Sequence, residues 1–481
     1  MTALPQATTD PALTPLSAAE RESFFAAIAR HQRGSLRVSL ASHLCAASLA
    51  LVVALLMSPL FYGIIGLALD LANLFVRTPD LIKTITDTIG EVIDHPERVT
   101  LARGLYLGAI GAIPGLALMA LATRTLGRVM REAMTREASD FHAREPDQSQ
   151  LAEQRFANVV QEMALAAALV APRVLVTDSE AVNAAAFGPS NGKATIVVTT
   201  GLLASVNRAE LQAIAAHVVG AIADGDMEIG TRVATVLGLF GLTARLSGSF
   251  ADRDAAKRFT RLLRASTRPG ASTADGELAL ALTNPFADAQ SKARTPADEP
   301  GKVPWRTIAW MPLVGPLVIS GFFGGMISTF VLGPLLSLTW RQRKYLADAT
   351  AVRLTRDPDA LASALEKMRG AAVSGAFNAW TSHMCVVPDT AIRSRSLFSG
   401  SSVAMSPSLE RRLRALGRMG AQTSHPSRRH LPLLAWCVLV PVGALVVGLM
   451  SLVLLLLVYV SVALSGMFTW LPVVVLHAIL R

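Results

Sequence analysis

The stretch NRAELQAIAAHVVGAIADGD, residues 207–226, is the most informative part of this chain. Asn207 and Glu210 stand at the spacing of a capping box, in which each side chain bonds the other residue's backbone N–H at the start of a helix. Apolar residues then recur at helical spacing: Leu211, Ile214, Val218 and Ile222. The stretch therefore predicts a capped helix with a buried face, and that helix carries His217.

The residues before this helix predict a small sheet. Val174–Val176 and Thr195–Val198 are short β-branched runs bounded by proline, glycine or asparagine, which is typical of strands. A helix is expected over Glu153–Ala168. Residues 125–232 are therefore interpreted as a folded unit with helices and strands.

The composition of the chain indicates a membrane protein. Its 481 residues are 52% hydrophobic and only 17% charged. Leu44–Leu69 carries no charge and exceeds the roughly 20 residues that cross a bilayer core. Leu105–Thr123 is a second candidate span, and its small residues at four-residue spacing, Gly104, Gly108 and Ala112, favour close packing against the first. The domain boundaries are therefore 1–38 for an N-terminal segment and 39–124 for a two-helix hairpin.

Charge predicts the orientation of this hairpin. The loop between the spans is acidic, with Asp80, Asp87, Glu91, Asp94 and Glu97, whereas arginines follow the second span, at positions 124, 128, 131 and 136. By the positive-inside rule the loop faces outward, and residues 1–38 and 125–232 lie in the cytoplasm. The net charge of +10 is assigned to topology and anionic lipid. Nucleic acid is excluded as a partner because no aromatic-plus-basic pattern occurs.

The remaining apolar segments leave the topology open. Region 233–338 holds two of them, separated by a basic and partly disordered linker, 249–304, and they either cross and return or lie at the cytoplasmic interface. Region 421–481 contains a strong span, Leu433–Val460, followed by Trp470–Leu480, which returns or lies in the interface.

Several local motifs, in the same order along the chain, resemble those of the HtpX-like membrane zinc metallopeptidases, relatives of the CAAX prenyl proteases. The matching stretches are Asn183–Gly188, Val197–Leu203, Glu210–Met227, residues 338–368 and Ser406–Leu416. The resemblance implies a mainly α-helical integral membrane protein with an α+β zincin-like cytoplasmic domain, formed by 125–232 and 339–420 and flanked by transmembrane helices. It also implies the inner membrane of a bacterium.

The same resemblance identifies the catalytic positions. The family's HExxH motif places two histidine ligands on one helix face with a glutamate base between them, and a second motif supplies a glutamate as third zinc ligand. These positions read His217, Val218, Ala221 and Lys344 here. Asn183, Asp226 and Asp348 match positions expected to support the site through hydrogen bonds.

The substitutions predict loss of the chemistry. Ala221 has no lone pair for a metal, and Val218 cannot accept a proton from water. The ammonium of Lys344, about 4 Å from a zinc ion, would cost about 8 kcal/mol at an effective dielectric constant near 20. Only His217 retains a ligand position, so no intact catalytic residue, no bound metal and no other cofactor are expected.

Two side chains allow alternative interpretations. Lys344 either replaces the metal as the local cation and pairs with a carboxylate such as Asp224, or points to solvent. His217 is interpreted as a core histidine in preference to a ligand.

The function predicted from sequence is therefore a non-catalytic pseudopeptidase or scaffold that contacts the bilayer and an extended peptide or membrane-protein segment beside the sheet edge. The alternative is an active zinc endopeptidase in membrane-protein quality control. A transporter is disfavoured because the spans carry almost no ionisable residues. The sequence leaves the oligomeric state open.

Overall fold

The computed structural model describes eight segments of the chain and a few isolated positions. The segments are 21–98, 100–140, 143–246, 253–267, 333–370, 384–387, 406–422 and 469–480. Most of the predicted linker 249–304, the apolar run 306–332, His383 and most of the predicted span Leu433–Val460 lie outside the described residues. The chain divides into two compact units: residues 1–42, 130–234 and 333–429 form the first, and residues 43–129, 235–332 and 430–481 form the second.

The second unit contains two helices that are long and apolar enough to cross a membrane. Helix α1, Phe24–Asn73, begins in the first unit and contains the predicted span, and α3, Leu101–Asp140, contains the other. Between them the predicted loop contains a helix, α2, Leu81–Asp94, followed by a short 3-10 turn, Pro96–Arg98. The side chain of Asp80 caps α2 by accepting a bond from the backbone N–H of Lys83.

Helices α1 and α3 approach closely, although not through all of the predicted small residues. A Cβ atom added to Gly115 would lie 2.5 Å from the Cα atom of Ala54, so only glycine fits there. The hydroxyl of Tyr62 also donates to the carbonyl of Ile110 at 2.8 Å. Gly108, by contrast, faces open space. The close packing of α1 and α3 is therefore confirmed, but the glycine that permits the close contact is Gly115 and not Gly108.

The first unit contains a three-stranded mixed sheet in the order β1-β3-β2. Strand β1, Arg173–Thr177, runs parallel to β3, Thr195–Thr199, and β2, Ala184–Phe187, runs antiparallel to β3. The two strands predicted from β-branched residues are confirmed. Strand β2 was missed because three consecutive alanines have low β-propensity, and complete burial of the strand overrides that preference.

Helices account for most of the other described residues. In chain order they are α4 Leu151–Ala166, α5 Thr200–Ser205, α6 Arg208–Ala223, α7 Asp226–Leu246, α8 Arg253–Thr267, α9 Gly333–Thr355, α10 Pro358–Gly370, α11 Leu409–Arg418 and α12 Thr469–Leu480. A short 3-10 turn, Asn191–Lys193, precedes β3.

Helix α6 is the centre of the first unit and packs against α4, α9, α10 and β2. Both bonds of the predicted capping box are present, since Glu210 N–H donates to Asn207 Oδ1 at 2.9 Å and Asn207 N–H donates to Glu210 Oε2 at 2.8 Å. At Gly220 an added Cβ would lie 2.9 Å from Thr350 on α9, so the glycine permits the close approach of these helices. Gly225 has φ +82° and turns the chain into α7.

Candidate functional site

His217 lies in the buried interior between α6 and α9. Its side chain is 1% exposed, and its Nδ1 atom lies 2.9 Å from Oδ1 of Asp348, also 1% exposed. This contact has the distance of an ion pair but lacks the geometry of a hydrogen bond, and Nε2 has no hydrogen-bond partner among the residues that the structure describes. The imidazole is therefore enclosed in the core of the first unit.

Asp348 is held principally by Arg412 of α11. The guanidinium donates two hydrogen bonds to the carboxylate, from Nε to Oδ2 at 2.9 Å and from Nη2 to Oδ1 at 2.7 Å. The same guanidinium donates to the backbone carbonyl of Val386. Two parallel bonds of this kind are a strong and directional way to neutralise a buried carboxylate. Asp348 therefore joins α9 to α11 through an ion pair, and it lies against His217 of α6.

Lys344 is also buried, with only 2% of its surface exposed. Its Nζ atom donates to the backbone carbonyl of Cys385 at 2.7 Å. The interpretation that Lys344 points to solvent is therefore wrong. The pairing with Asp224 is not observed either: the Lys344 ammonium is bonded to Cys385, and the Asp224 carboxylate accepts a bond from the hydroxyl of Thr350 at 3.0 Å.

The other two predicted supporting residues also have defined partners. Asp226 Oδ1 accepts a bond from Arg343 Nε at 2.6 Å, and Arg343 also donates to the backbone carbonyl of Asp224. Asn183 donates from Nδ2 to the carbonyl of Val387 at 2.7 Å. Asp226 thus fixes the α6–α7 turn on α9, and Asn183 fixes a remote segment of chain on the start of β2.

That remote segment, residues 384–387, occupies the outer edge of β2. Cys385 pairs with Ala185 in antiparallel fashion, and the N–H of Val386 donates to the carbonyl of Ala184 at 2.9 Å. From the interior, Lys344 donates to the carbonyl of Cys385 and Arg412 donates to the carbonyl of Val386. An extended peptide could therefore add to this part of β2 only by displacing the chain's own residues.

Burial changes the ionisation of these groups. Desolvation lowers the pKa of His217 to about 4 and that of Lys344 to about 8. Desolvation raises the pKa of Asp226 to about 6, although Arg343 opposes the change. Burial also disfavours the ionised form of Asp348, but Arg412 and His217 together hold the pKa of that carboxyl below its usual value.

The zinc ion implied by the sequence resemblance does not fit these residues. Of the four motif positions, only His217 offers a donor atom to a metal, because the buried side chains of Val218 and Ala221 are hydrocarbon and Lys344 is a cation at neutral pH. A dication would also meet the nearby charge of Arg412. Within the described segments, the only three potential ligands that converge are Asp70, Asp80 and His477, in the other unit.

The five residues that the sequence points to all lie in or beside this buried cluster: Asn183, His217, Asp226, Lys344 and Asp348. The sequence does not identify Arg412, Arg343 or Cys385 as their partners. Arg412 lies within the stretch Ser406–Leu416, on the same helix face as Leu413 and Leu416. An arginine on an otherwise apolar face is a sequence signal for a buried charge that needs a partner. The contribution of Cys385 is a backbone carbonyl, for which the sequence carries no signal.

The capped helix α6 with His217, the small mixed sheet beside it and Asp348 on α9 lie in the first unit of a chain that also contains helices long enough to cross a membrane. The chain belongs to peptidase family M48, whose sequence profile matches residues 150–427. The recognition of an HtpX-like member of this family from sequence is thus confirmed.

Several relatives are named "Protease HtpX homolog". The protein of Thermoanaerobacter pseudethanolicus is 32% identical over 211 residues, and that of Caldanaerobacter subterraneus subsp. tengcongensis is 33% identical over the same length; both matches cover 44% of this chain and 55% of the relative. That of Dictyoglomus turgidum is 28% identical over 265 residues, which are 55% of this chain and 68% of the relative. The chain thus spans about half the length of the first two. No solved structure matches it.

Proposed function

We propose that this chain is a multi-pass membrane protein whose M48 domain is a pseudopeptidase, a scaffold of zincin-like fold that no longer hydrolyses peptides. The observation that carries the proposal is the buried Lys344. Its ammonium stands at the sequence position of the family's third zinc ligand and is bonded to the carbonyl of Cys385. A cation enclosed at that position, with Arg412 nearby, opposes a divalent metal by direct charge repulsion.

The side chains of α6 support the same conclusion. Hydrolysis by this class of enzyme needs a base that takes a proton from water, and Val218 at that position has no acceptor atom. Ala221 removes the second imidazole from the helix face. The role that remains for the cluster is structural. Its charge-assisted hydrogen bonds join α9, α11 and residues 384–387, and they are made by Asp348, Arg412 and Lys344.

The scaffold is proposed to lie in a bacterial inner membrane with its M48 domain in the cytoplasm and the α1–α3 hairpin loop facing outward. The positive-inside distribution of arginines supports this orientation. Its partner is proposed to be a peptide or membrane-protein segment. Because residues 384–387 occupy the outer edge of β2, this segment would bind a surface other than that stretch of the sheet.

The alternative function is an active zinc endopeptidase in membrane-protein quality control. Two observations favour it: the relatives are named as proteases, and His217 Nε2 has no partner among the described residues. The enzyme would need further metal ligands from residues outside the described segments. It would also need Lys344 to leave its present position.

A proteolysis assay tests the proposal. The full-length protein in detergent would be incubated with unfolded casein and with a purified membrane-protein substrate, beside the relative from Thermoanaerobacter pseudethanolicus as a positive control. We expect no cleavage above the background of the His217→Ala variant. Cleavage that a zinc chelator abolishes and that His217→Ala removes would overturn the proposal in favour of the endopeptidase.

A further inference from the structure

Helix α2, which connects α1 to α3, has two chemically different sides. At about 100° per residue, its four isoleucines and its valine share one face, about 100° wide: Ile82, Ile85, Ile89, Val92 and Ile93. Its charged residues share the opposite face, about 80° wide: Lys83, Asp87, Glu91 and Asp94. The helix is therefore amphipathic along its whole length.

Only the N-terminal part of the apolar face of α2 is packed against the protein. Ile82 is 1% exposed and lies so close to Gly66 of α1 that a Cβ atom added to this glycine would overlap it. Towards the C-terminal end of α2, by contrast, Ile89 is 44% exposed and Ile93 is 70% exposed. This part of the face is an apolar surface that water solvates poorly.

Helix α2 is fixed to both of the helices that are long enough to cross a membrane. Ile82 packs on Gly66 of α1, which lies in the last turn of the uncharged stretch Leu44–Leu69. Glu91 accepts a bond of 2.7 Å from Arg103, which lies near the start of α3. Contacts at these two places hold α2 where the apolar part of the hairpin ends, which is where the hydrocarbon core of a bilayer gives way to headgroups.

Exposed apolar residues continue from α2 onto the chain on either side of it. Four of them are between 62% and 86% exposed: Leu74, Phe75, Val76 and Leu101. The spans themselves are also open, since only 28% of the most apolar stretch of α1 and 17% of that of α3 is buried. The exposed face of α2 is thus part of an apolar surface that begins on the spans, and acyl chains are the partner that covers such a surface.

We propose that α2 is an interfacial helix that lies in the plane of the outer leaflet, with Ile89 and Ile93 in contact with acyl chains. An apolar face opposite a charged face is typical of helices at a membrane surface. The charged face carries three acidic residues and one lysine, so it turns towards water and does not attract anionic headgroups. The inference rests on the proposed membrane location and orientation and is independent of whether the M48 domain is catalytic.

The collisions of a nitroxide label with oxygen and with a water-soluble nickel chelate test the inference. Oxygen concentrates in hydrocarbon, whereas the chelate stays in water, so the ratio of the two collision rates reports where the label lies. The full-length protein, with alanine at positions 45, 385 and 437 in place of its three cysteines, would be placed in phosphatidylcholine nanodiscs and labelled at one introduced cysteine at a time.

The labelled positions compare the two faces of the same helix. The test variants are Ile89→Cys and Ile93→Cys, and the matched controls are Asp87→Cys and Asp94→Cys, whose side chains are exposed as well. Ile64→Cys on α1 reports on the span, because this side chain is 51% exposed within the uncharged stretch.

Labels at positions 89 and 93 are expected to collide more often with oxygen than with nickel, as the label at position 64 should. Labels at positions 87 and 94 should show the reverse. Burial of an isoleucine-sized apolar group shifts a partition equilibrium by roughly tenfold or more, so the ratio of oxygen to nickel collisions should differ by about that factor between the two faces.

Three results would overturn the inference, and they have different meanings. Equal ratios on both faces of α2, with the label at position 64 in hydrocarbon, would leave the membrane location intact but place α2 in water. Free access of nickel to position 64 would remove the membrane location itself. Shielding of positions 89 and 93 from both reagents, with dipolar broadening between labels, would mean that a second copy of the chain covers this face.

Discussion

Lys344 and Arg412 show how single buried side chains organise the interior of the first unit. Both are buried cations whose polar atoms meet backbone carbonyls of residues 384–387. The sequence alone places a lysine where the family resemblance implies a zinc ligand, because the motif around position 344 is recognisable. The partner of the ammonium could not be predicted, because the Cys385 carbonyl lies 41 residues away and belongs to the backbone.

Arg412→Met is expected to destabilise the protein by about 3–5 kcal/mol. The substitution keeps most of the side-chain volume but leaves the carboxylate of Asp348 buried without its main partner. Thermal or urea unfolding of the detergent-solubilised protein measures the change. Arg418→Met is the matched control, since this arginine is exposed on the same helix, and its effect should stay within about 0.5 kcal/mol.

The double variant Asp348→Leu/Arg412→Met extends this prediction. If the large effect of Arg412→Met comes from an unpaired carboxylate, removing both charges should leave a smaller loss of stability than the single variant. A double variant that is as unstable as Arg412→Met, or more so, would contradict this explanation.

The lowered pKa of the buried His217 should make the free energy of unfolding depend on pH. The folded protein keeps the imidazole neutral down to a pH of about 4, whereas the unfolded chain takes up the proton near pH 6.5. Between these values acid favours the unfolded state, so stability should fall as the pH falls, by up to about 1.4 kcal/mol per pH unit from this group.

Comparison with His217→Gln isolates this contribution. Asp226, whose raised pKa of about 6 acts in the opposite direction over part of this range, is present in both proteins and cancels in the difference. Unfolding temperatures measured from pH 7 to pH 4 should decline more steeply for the wild type than for the variant. Parallel declines would mean that His217 accepts its proton in the folded state.

At the scale of elements, α6 was the best-predicted feature. Its capping residues and apolar spacing are local signals, and the helix begins one residue after Asn207 as expected. Strand β2 and the pairing of residues 384–387 were not predicted. Their sequences, AAAF and MCVV, are short, and their pairing depends on long-range contacts with β3 and with Lys344 and Arg412.

Asn207→Ala is expected to destabilise the protein by about 1 kcal/mol, because it removes the acceptor for the Glu210 N–H at the start of α6. Ser408→Ala provides a matched comparison, since Ser408 occupies the equivalent position before α11 but makes no side-chain capping bond. Its effect should be smaller. Chemical unfolding of both variants measures the difference, and equal losses would argue against a stabilising role for the Asn207 bond.

At the scale of the whole molecule, the hydropathy of the sequence identified α1 and α3 as membrane-spanning candidates, but it did not indicate how long these helices are. Helix α1 extends about 20 residues before the uncharged stretch that begins at Leu44, because its N-terminal part packs on the first unit, where His31 bonds Gln342 at 2.7 Å. Hydropathy has no signal for this charged N-terminal part of the helix, which carries Arg30, Arg33 and Arg37. Hydropathy also gave no indication of α2, which lies within the stretch interpreted as an acidic loop although its apolar residues recur at helical spacing.

The proposed topology predicts which side of the membrane each unit faces. A cysteine at Asp87→Cys on α2 should react with a membrane-impermeant maleimide added outside intact cells, whereas one at Arg155→Cys on α4 should react only after the cells are opened. Both positions are exposed, so accessibility within the protein does not distinguish them. Labelling of Arg155→Cys from outside would place the M48 domain on the opposite side.

Zinc content tests the central claim most directly. Elemental analysis of the purified, detergent-solubilised protein would be compared with a variant in which the motif is restored by Val218→Glu, Ala221→His and Lys344→Glu. We predict that the native protein carries no stoichiometric zinc and that the restored variant binds it. One zinc per native chain, lost on His217→Ala, would contradict the account and establish a metal site built from other ligands.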